Sequence, residues 1–218
     1  MIRRAKAAVD ILTKKRFCSL WGRHELPGGR SDAADIWKNL LDHFAEPHRR
    51  YHGKSHMEHC LREFDQASPS MENPDAVEMA LWFHDAIYAA GAPDNEEQSA
   101  NLFQYFARHS LEDAFANEVG LLIMETKHVQ IPTTSNAKYT VDIDLASFGR
   151  PWPEFMADCH ALRNEQTTFS HEQFYRNKYA FLNSLLARPN VFSTPHFQER
   201  YESFARQNMV RYIELIQT

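Results

Sequence analysis

The chain has 218 residues, 43% of them hydrophobic, enough for one sizeable core and consistent with a single domain. With 24 basic against 29 acidic residues the net charge is −5, which excludes a binder of nucleic acid or anionic lipid working through its overall field. Three cysteines without CxxC spacing (Cys18, Cys60 and Cys159) exclude a disulfide framework or zinc ribbon, and no apolar run nears the roughly 20 residues that cross a bilayer.

These features place the expected chain in a reducing cytoplasm. Its start, "MIRRAKAAVDILTKKRF", has basic residues but no signal-type apolar core. It reads as a solvated helix over about 6–21, an organelle-targeting or membrane-surface helix being the other reading. Residues 1–20 stand as an N-terminal extension of a single domain spanning 1–218. Further helices are expected at about 32–45, 56–67, 74–89, 95–108, 111–127, 142–148, 152–169, 171–187 and 195–217. Ser55-x-x-Glu58, Asp94-x-x-Glu97 and Ser170-x-x-Gln173 read as capping boxes, while Asn73-Pro74 and Thr194-Pro195 place a cap before a first-turn proline. Only seven glycines and almost no period-two alternation predict an all-α helical bundle. "KYTVDI" at 138–143 is the best local exception, and "HVQIPTTSNAKYT" at 128–140 is the loosest stretch.

Three stretches carry candidate chemistry. In "RRYHGKSHMEHCL", residues 49–61, the Ser55 cap puts His56 at a helix mouth, with His52 in the preceding loop and His59 three residues on. In "ALWFHDAIY" an apolar helix surrounds His84 and Asp85, so at least one is buried. A buried carboxylate needs a partner or a cation, which leaves a hydrogen-bonded core pair or a pair of metal ligands. In "TVDIDLASFGRPW", Asp142 and Asp144 precede an apolar turn, where helix-dipole stabilisation alone accounts for them. The aromatic series Phe169, Phe174, Tyr175, Tyr179 and Phe181 reads as core packing.

In order, "YHGKSH", "WFHDAIY", "DNEEQSA", "TKH" and "DIDLASFG" resemble the blocks of the HD superfamily of metal-dependent phosphohydrolases, and more narrowly of a predicted HD phosphohydrolase family. The resemblance extends to "LRNEQ" and "ARQN" and covers residues from about 20 to 215. It implies an HD-type helical bundle with one divalent ion (Mn, Fe, Co, Ni, Zn or Mg) held by His56, His84, Asp85 and Asp144, Asp142 being the alternative fourth ligand. It implies hydrolysis of a phosphate ester or anhydride of a small metabolite, a nucleotide being the commonest case, by water activated on the metal. Glu96 is the candidate to assist that water, although "DNEE" reads equally as a capped helix start with Glu97 in its box. Arg49, Arg50, Lys54 and Lys127 are candidate phosphate contacts, Lys54 foremost; His52 and His128 are candidates for substrate contact or a second metal. Arg163 and Glu165 match an Arg-x-Glu pair of the family or form a helical salt bridge. A diiron oxygenase and a non-catalytic metal-containing signalling module are the alternatives. Neither a nucleic-acid nor a membrane partner is expected, and oligomeric state is left open.

Overall fold

A computed structural model describes residues 10–217. Among them the protein is all-α: α1 (Lys14–Gly22), α2 (Ala33–Phe44), α3 (Lys54–Ala67), α4 (Pro74–Phe83), α5 (Asn95–Ala107), α6 (Asp113–Glu125), α7 (Ser135–Leu145), α8 (Trp152–Glu165), α9 (His171–Leu186) and α10 (Pro195–Gln217). A short 3₁₀ turn, Ala146–Gly149, follows α7. No helix among the described residues is long and apolar enough to cross a membrane.

The bundle is built around α4. Every residue from Ala76 to Phe83 is buried, as expected of a helix that is apolar all round. It packs against α6 and α7, and also against α1, α3 and α5. Pro74 opens it, and the Asn73 side chain accepts from the Ala76 amide, which is the predicted cap. Trp82 meets Phe17 of α1 edge to face at 5.4 Å, so α1 belongs to the core through Phe17, Leu20 and Trp21. The expected helix over 6–21 is shorter at its start. Thr13 caps α1 by accepting from the Arg16 amide and residues 10–13 are not helical, while the part of that expectation on residues 1–9 lies outside the described residues.

Two other boundaries move, and both matter for the site. The helix expected at 74–89 stops at Phe83, with His84 as its C-cap. Downstream, carbonyls that would serve a longer helix are taken by side chains. Arg49 donates to the oxygens of Asp85 and Ala86, and Ser99 both donates to and accepts from the backbone of Ile87. Conversely, the helix expected at 142–148 starts earlier, at Ser135, where Thr134 accepts from the Ala137 amide. "KYTVDI" is therefore helical, its β-branched preference overridden by burial of Thr140, Val141 and Ile143.

Of the three expected capping boxes only Ser170–Gln173 forms. Gly53 caps α3 without a side-chain bond, which leaves Ser55 inside the helix, and Asp94 accepts from Gln98 rather than from its own helix amides. Gly149 has a packing reason: a Cβ there would lie 2.5 Å from that of Tyr201, so only glycine lets α10 seat on the 3₁₀ turn.

Candidate metal centre

Three segments far apart in sequence deliver nitrogen and oxygen donors to one point. α3 supplies His56, the C-terminal end of α4 supplies His84 and Asp85, and the last turn of α7 supplies Asp144. The His56 and His84 Nε2 atoms stand 3.2 Å apart. Asp144 Oδ1 lies 3.1 Å from His56 Nε2 and 3.6 Å from His84 Nε2, and Asp85 Oδ2 lies 3.4 and 3.1 Å from the same two atoms. His128, in the loop after α6, reaches Asp144 Oδ2 with its Nε2 at 2.9 Å.

These separations fit a shared cation. Donors each about 2.1 Å from one ion stand about 3.0–3.4 Å apart at octahedral or tetrahedral angles. Ring chemistry points the same way. His84 Nδ1–H donates to the Leu81 carbonyl at 2.7 Å, which turns Nε2 toward the cluster, where a metal ion would displace its proton and take the lone pair. Asp85 Oδ2 is buried, and its polar neighbours are the two Nε2 atoms of the cluster rather than a well-aligned hydrogen-bond donor, so its charge depends on cations at this point. Burial would push the Asp85 and Asp144 carboxyls upward, but surrounding imidazoles (His84, His52 and His56 for Asp85; His128, His56 and His84 for Asp144) hold both well below the usual range. The centre thus presents two ionised carboxylates and two imidazoles. His56, Cys60, His84 and Asp144 have the composition and spacing to hold a metal ion.

Cys60 was not foreseen as part of this group. Its Sγ lies one turn below His56 on α3, 3.6 Å from Nε2, and burial holds the thiol far above its ordinary value, in the neutral form. The i,i+4 spacing of His56 and Cys60 was the available signal.

The ambiguity between the two aspartates of α7 ends in geometry. Asp142 is fully buried on another side of the helix, where it accepts from the Ser193 and Thr194 amides and the Thr194 hydroxyl. It ties the start of α10 to α7 and is absent from the donor cluster. Asp142→Asn is expected to cost about 1–3 kcal/mol by leaving one of those donors without its carboxylate partner, with metal content unchanged. Thermal melts and elemental analysis of the variant check both parts.

A frame of hydrogen bonds holds the first histidine block against this centre. Glu165, buried at the end of α8, accepts the amides of Arg50, Tyr51 and His52 and the Nδ1–H of His52. It makes no ion pair with Arg163, which lies over Phe174. The Arg49 guanidinium is buried and donates to the carbonyls of His52, Asp85 and Ala86, which makes it a strut rather than a phosphate contact.

Above the donors opens a cavity of about 340 Å³, lined by Asp85, Asp144, His52, His128, Glu96 and Lys178 among others. Burial, reinforced by the Asp85 charge, raises the Glu96 carboxyl. Lys127 also lines it but is paired with Glu97, which is therefore engaged outside its expected capping box. Lys54 is exposed at the start of α3 and does not line the cavity. Its place as a cation is taken by Lys178, for which one residue on an amphipathic helix gave no signal. His128 adopts a left-handed backbone (φ 57°), unusual for a residue with a Cβ, and Arg188 holds its carbonyl in place. Of the aromatic series, Phe169, Phe174 and Phe181 face this cavity, so they are wall as well as packing.

No family model matches the chain, and neither the curated proteins nor the solved structures contain a significant match to it.

Proposed function

We propose that the protein is a metal-dependent phosphohydrolase of the HD type, acting on a small phosphorylated metabolite. The observation that carries this reading is the convergence of the donor atoms of His56, His84, Asp85 and Asp144 at one point, with Asp85 and Asp144 lining a cavity that also holds a carboxyl with raised affinity for protons. A divalent ion bound there, with Mn, Fe, Co, Ni, Zn and Mg as candidates, would acidify a water and offset charge on the phosphoryl oxygens.

The chain's own residues do the rest. Glu96 takes a proton from the attacking water as its oxygen bonds to phosphorus, and passes it to the oxygen departing with the ester. A carboxyl raised by burial is a better base near neutral pH than an exposed one. His128 holds Asp144 from behind and fixes which oxygen faces the two imidazoles. Three unpaired cysteines suit a reducing cytoplasm.

Incubating the metal-loaded protein with phosphorylated metabolites and Mn²⁺, Co²⁺ or Mg²⁺ is expected to release phosphate. No release with any pairing would falsify the assignment. Glu96→Gln is expected to lower kcat about 10²–10⁴-fold, to keep full metal content, and to remove the acid limb of the pH–rate profile. An unchanged limb takes the proton-transfer role from Glu96.

A further inference from the structure

The cavity above the donors is unlike a polyphosphate site. Five phenylalanines, Phe148, Phe155, Phe169, Phe174 and Phe181, contribute to its walls. The apolar surface begins at the donor cluster itself: the His128 ring lies 6.0 Å from Phe181, which is 6.3 Å from Phe148, in turn 6.0 Å from Phe155. At about 340 Å³ the space is at the small end of ligand sites, which run from roughly 300 to 1,000 Å³.

The charges narrow the ligand further. Asp85, Glu96, Asp144 and Asp158 line the cavity against two lysines. Lys127 is already paired with Glu97. The Lys178 ammonium instead sits 5.1 Å over the Phe148 ring and 5.9 Å from that of Phe181, with no carboxylate among the described residues in salt-bridge contact. Lys178 is half-buried, and burial pulls its ammonium below the ordinary value despite Asp158 nearby, which marks a cation partly withdrawn from solvent and without a carboxylate partner. An aromatic pair stabilises such a charge in part; an incoming anion completes the compensation. Asp158 is itself paired with Arg150, and Asp85 and Asp144 would share the charge of the ion, so a triphosphate would bring several charges to a site where, beyond that ion, Lys178 is the lining cation among the described residues without a carboxylate partner.

Resting on the phosphohydrolase reading, we propose that the cavity selects a compact monophosphate ester with an apolar, ring-sized body, and that Lys178 is the specificity-determining cation that meets its charge while Phe148 and Phe181 receive its body.

Equilibrium binding of phenylphosphonate, which cannot be hydrolysed at its P–C bond, tests the ligand class on metal-loaded protein without relying on turnover. Lys178→Gln is expected to weaken it about tenfold or more. Phe181→Leu is expected to weaken phenylphosphonate but leave inorganic phosphate unchanged, because only the former has a ring to place. In turnover, phenyl phosphate is expected to exceed glycerol 1-phosphate, pyrophosphate and ATP in kcat/KM by about tenfold or more, a ring's burial being worth at least that. Phosphate release with ATP or glycerol 1-phosphate preferred overturns the inference and leaves the phosphohydrolase reading standing. Binding with the expected variant pattern, but no cleavage of any ester, supports the ligand class and overturns the phosphohydrolase reading. Binding of phenylphosphonate that neither variant changes overturns the inference whatever the turnover.

Discussion

Asp144→Asn is expected to abolish metal binding while leaving the helical fold in place. The amide has the shape of the carboxylate but no charge, and only one of its two polar atoms accepts. Asp144 Oδ1 faces both Nε2 atoms of the cluster and Oδ2 is held by His128, so one substitution removes a ligand, a counter-charge and an anchor for the positioning histidine. Changing a residue that merely supports a ligand costs about 10–100-fold in metal affinity, and loss of the ligand itself should exceed that. His84→Ala and Asp85→Ala should behave alike. Elemental analysis after dialysis is the direct measurement. Melting gives a second one. An ion at 100 times its Kd stabilises by about 2.7 kcal/mol, a rise of about 5–11 °C for a chain of this size. The parent protein should show that rise on adding metal, and Glu96→Gln should keep it. Full metal occupancy in the Asp144, His84 or Asp85 variant rules out the proposed ligand set.

How much of this could be read from the sequence depends on whether a signal was local. α4 was legible because Asn73-Pro74 starts it and an unbroken apolar run follows, and α9 because its capping box is a contact between residues three apart. The end of α4 was not, since what stops it is Arg49, 36 residues away from Asp85 in the chain. The early start of α7 was hidden by β-branched residues whose strand preference is overruled by burial. Among site residues, the resemblance to the HD superfamily pointed to His56, His84, Asp85 and Asp144, and the fold brings these four together. The choice between Asp142 and Asp144 needed the position of α10, whose first turn claims Asp142. Lys54 looked apt because it sits between two histidines in the chain, yet helix geometry turns it to solvent. Lys178 had no neighbour in sequence to mark it, and its surroundings come from α8 and the 3₁₀ turn after α7.

Glu165→Gln is expected to destabilise the fold by about 3–5 kcal/mol, the cost of breaking a buried charged pair, and by an amount that shrinks in acid. Glu165 is 1% exposed and gathers three consecutive amides and the His52 ring onto one carboxylate. Glutamine offers one acceptor oxygen, and its amide hydrogens would face donors that have nowhere else to turn. Burial alone would raise this carboxyl, but the His52 bond and charge and the amides of Tyr51 and Arg50 outweigh it and pull it from 4.5 down to about 2. Because the folded value is the lower one, the stabilisation is fully present above the unfolded value and is lost as pH falls from there through about 2; the shift corresponds to about 3 kcal/mol. Melting the parent and Glu165→Gln at pH 6 and pH 3 should therefore show a wide gap in Tm that narrows at the lower pH. A gap independent of pH means that Glu165 is not ionised in the fold, and the frame would then have to rest on neutral hydrogen bonds. Metal content separates this frame from the donors it supports. Glu165→Gln should lose stability and retain its metal at neutral pH, whereas Asp144→Asn should lose the metal. Loss of metal by both variants in folded protein would make Glu165 part of the binding site rather than the brace that holds His52 beside it.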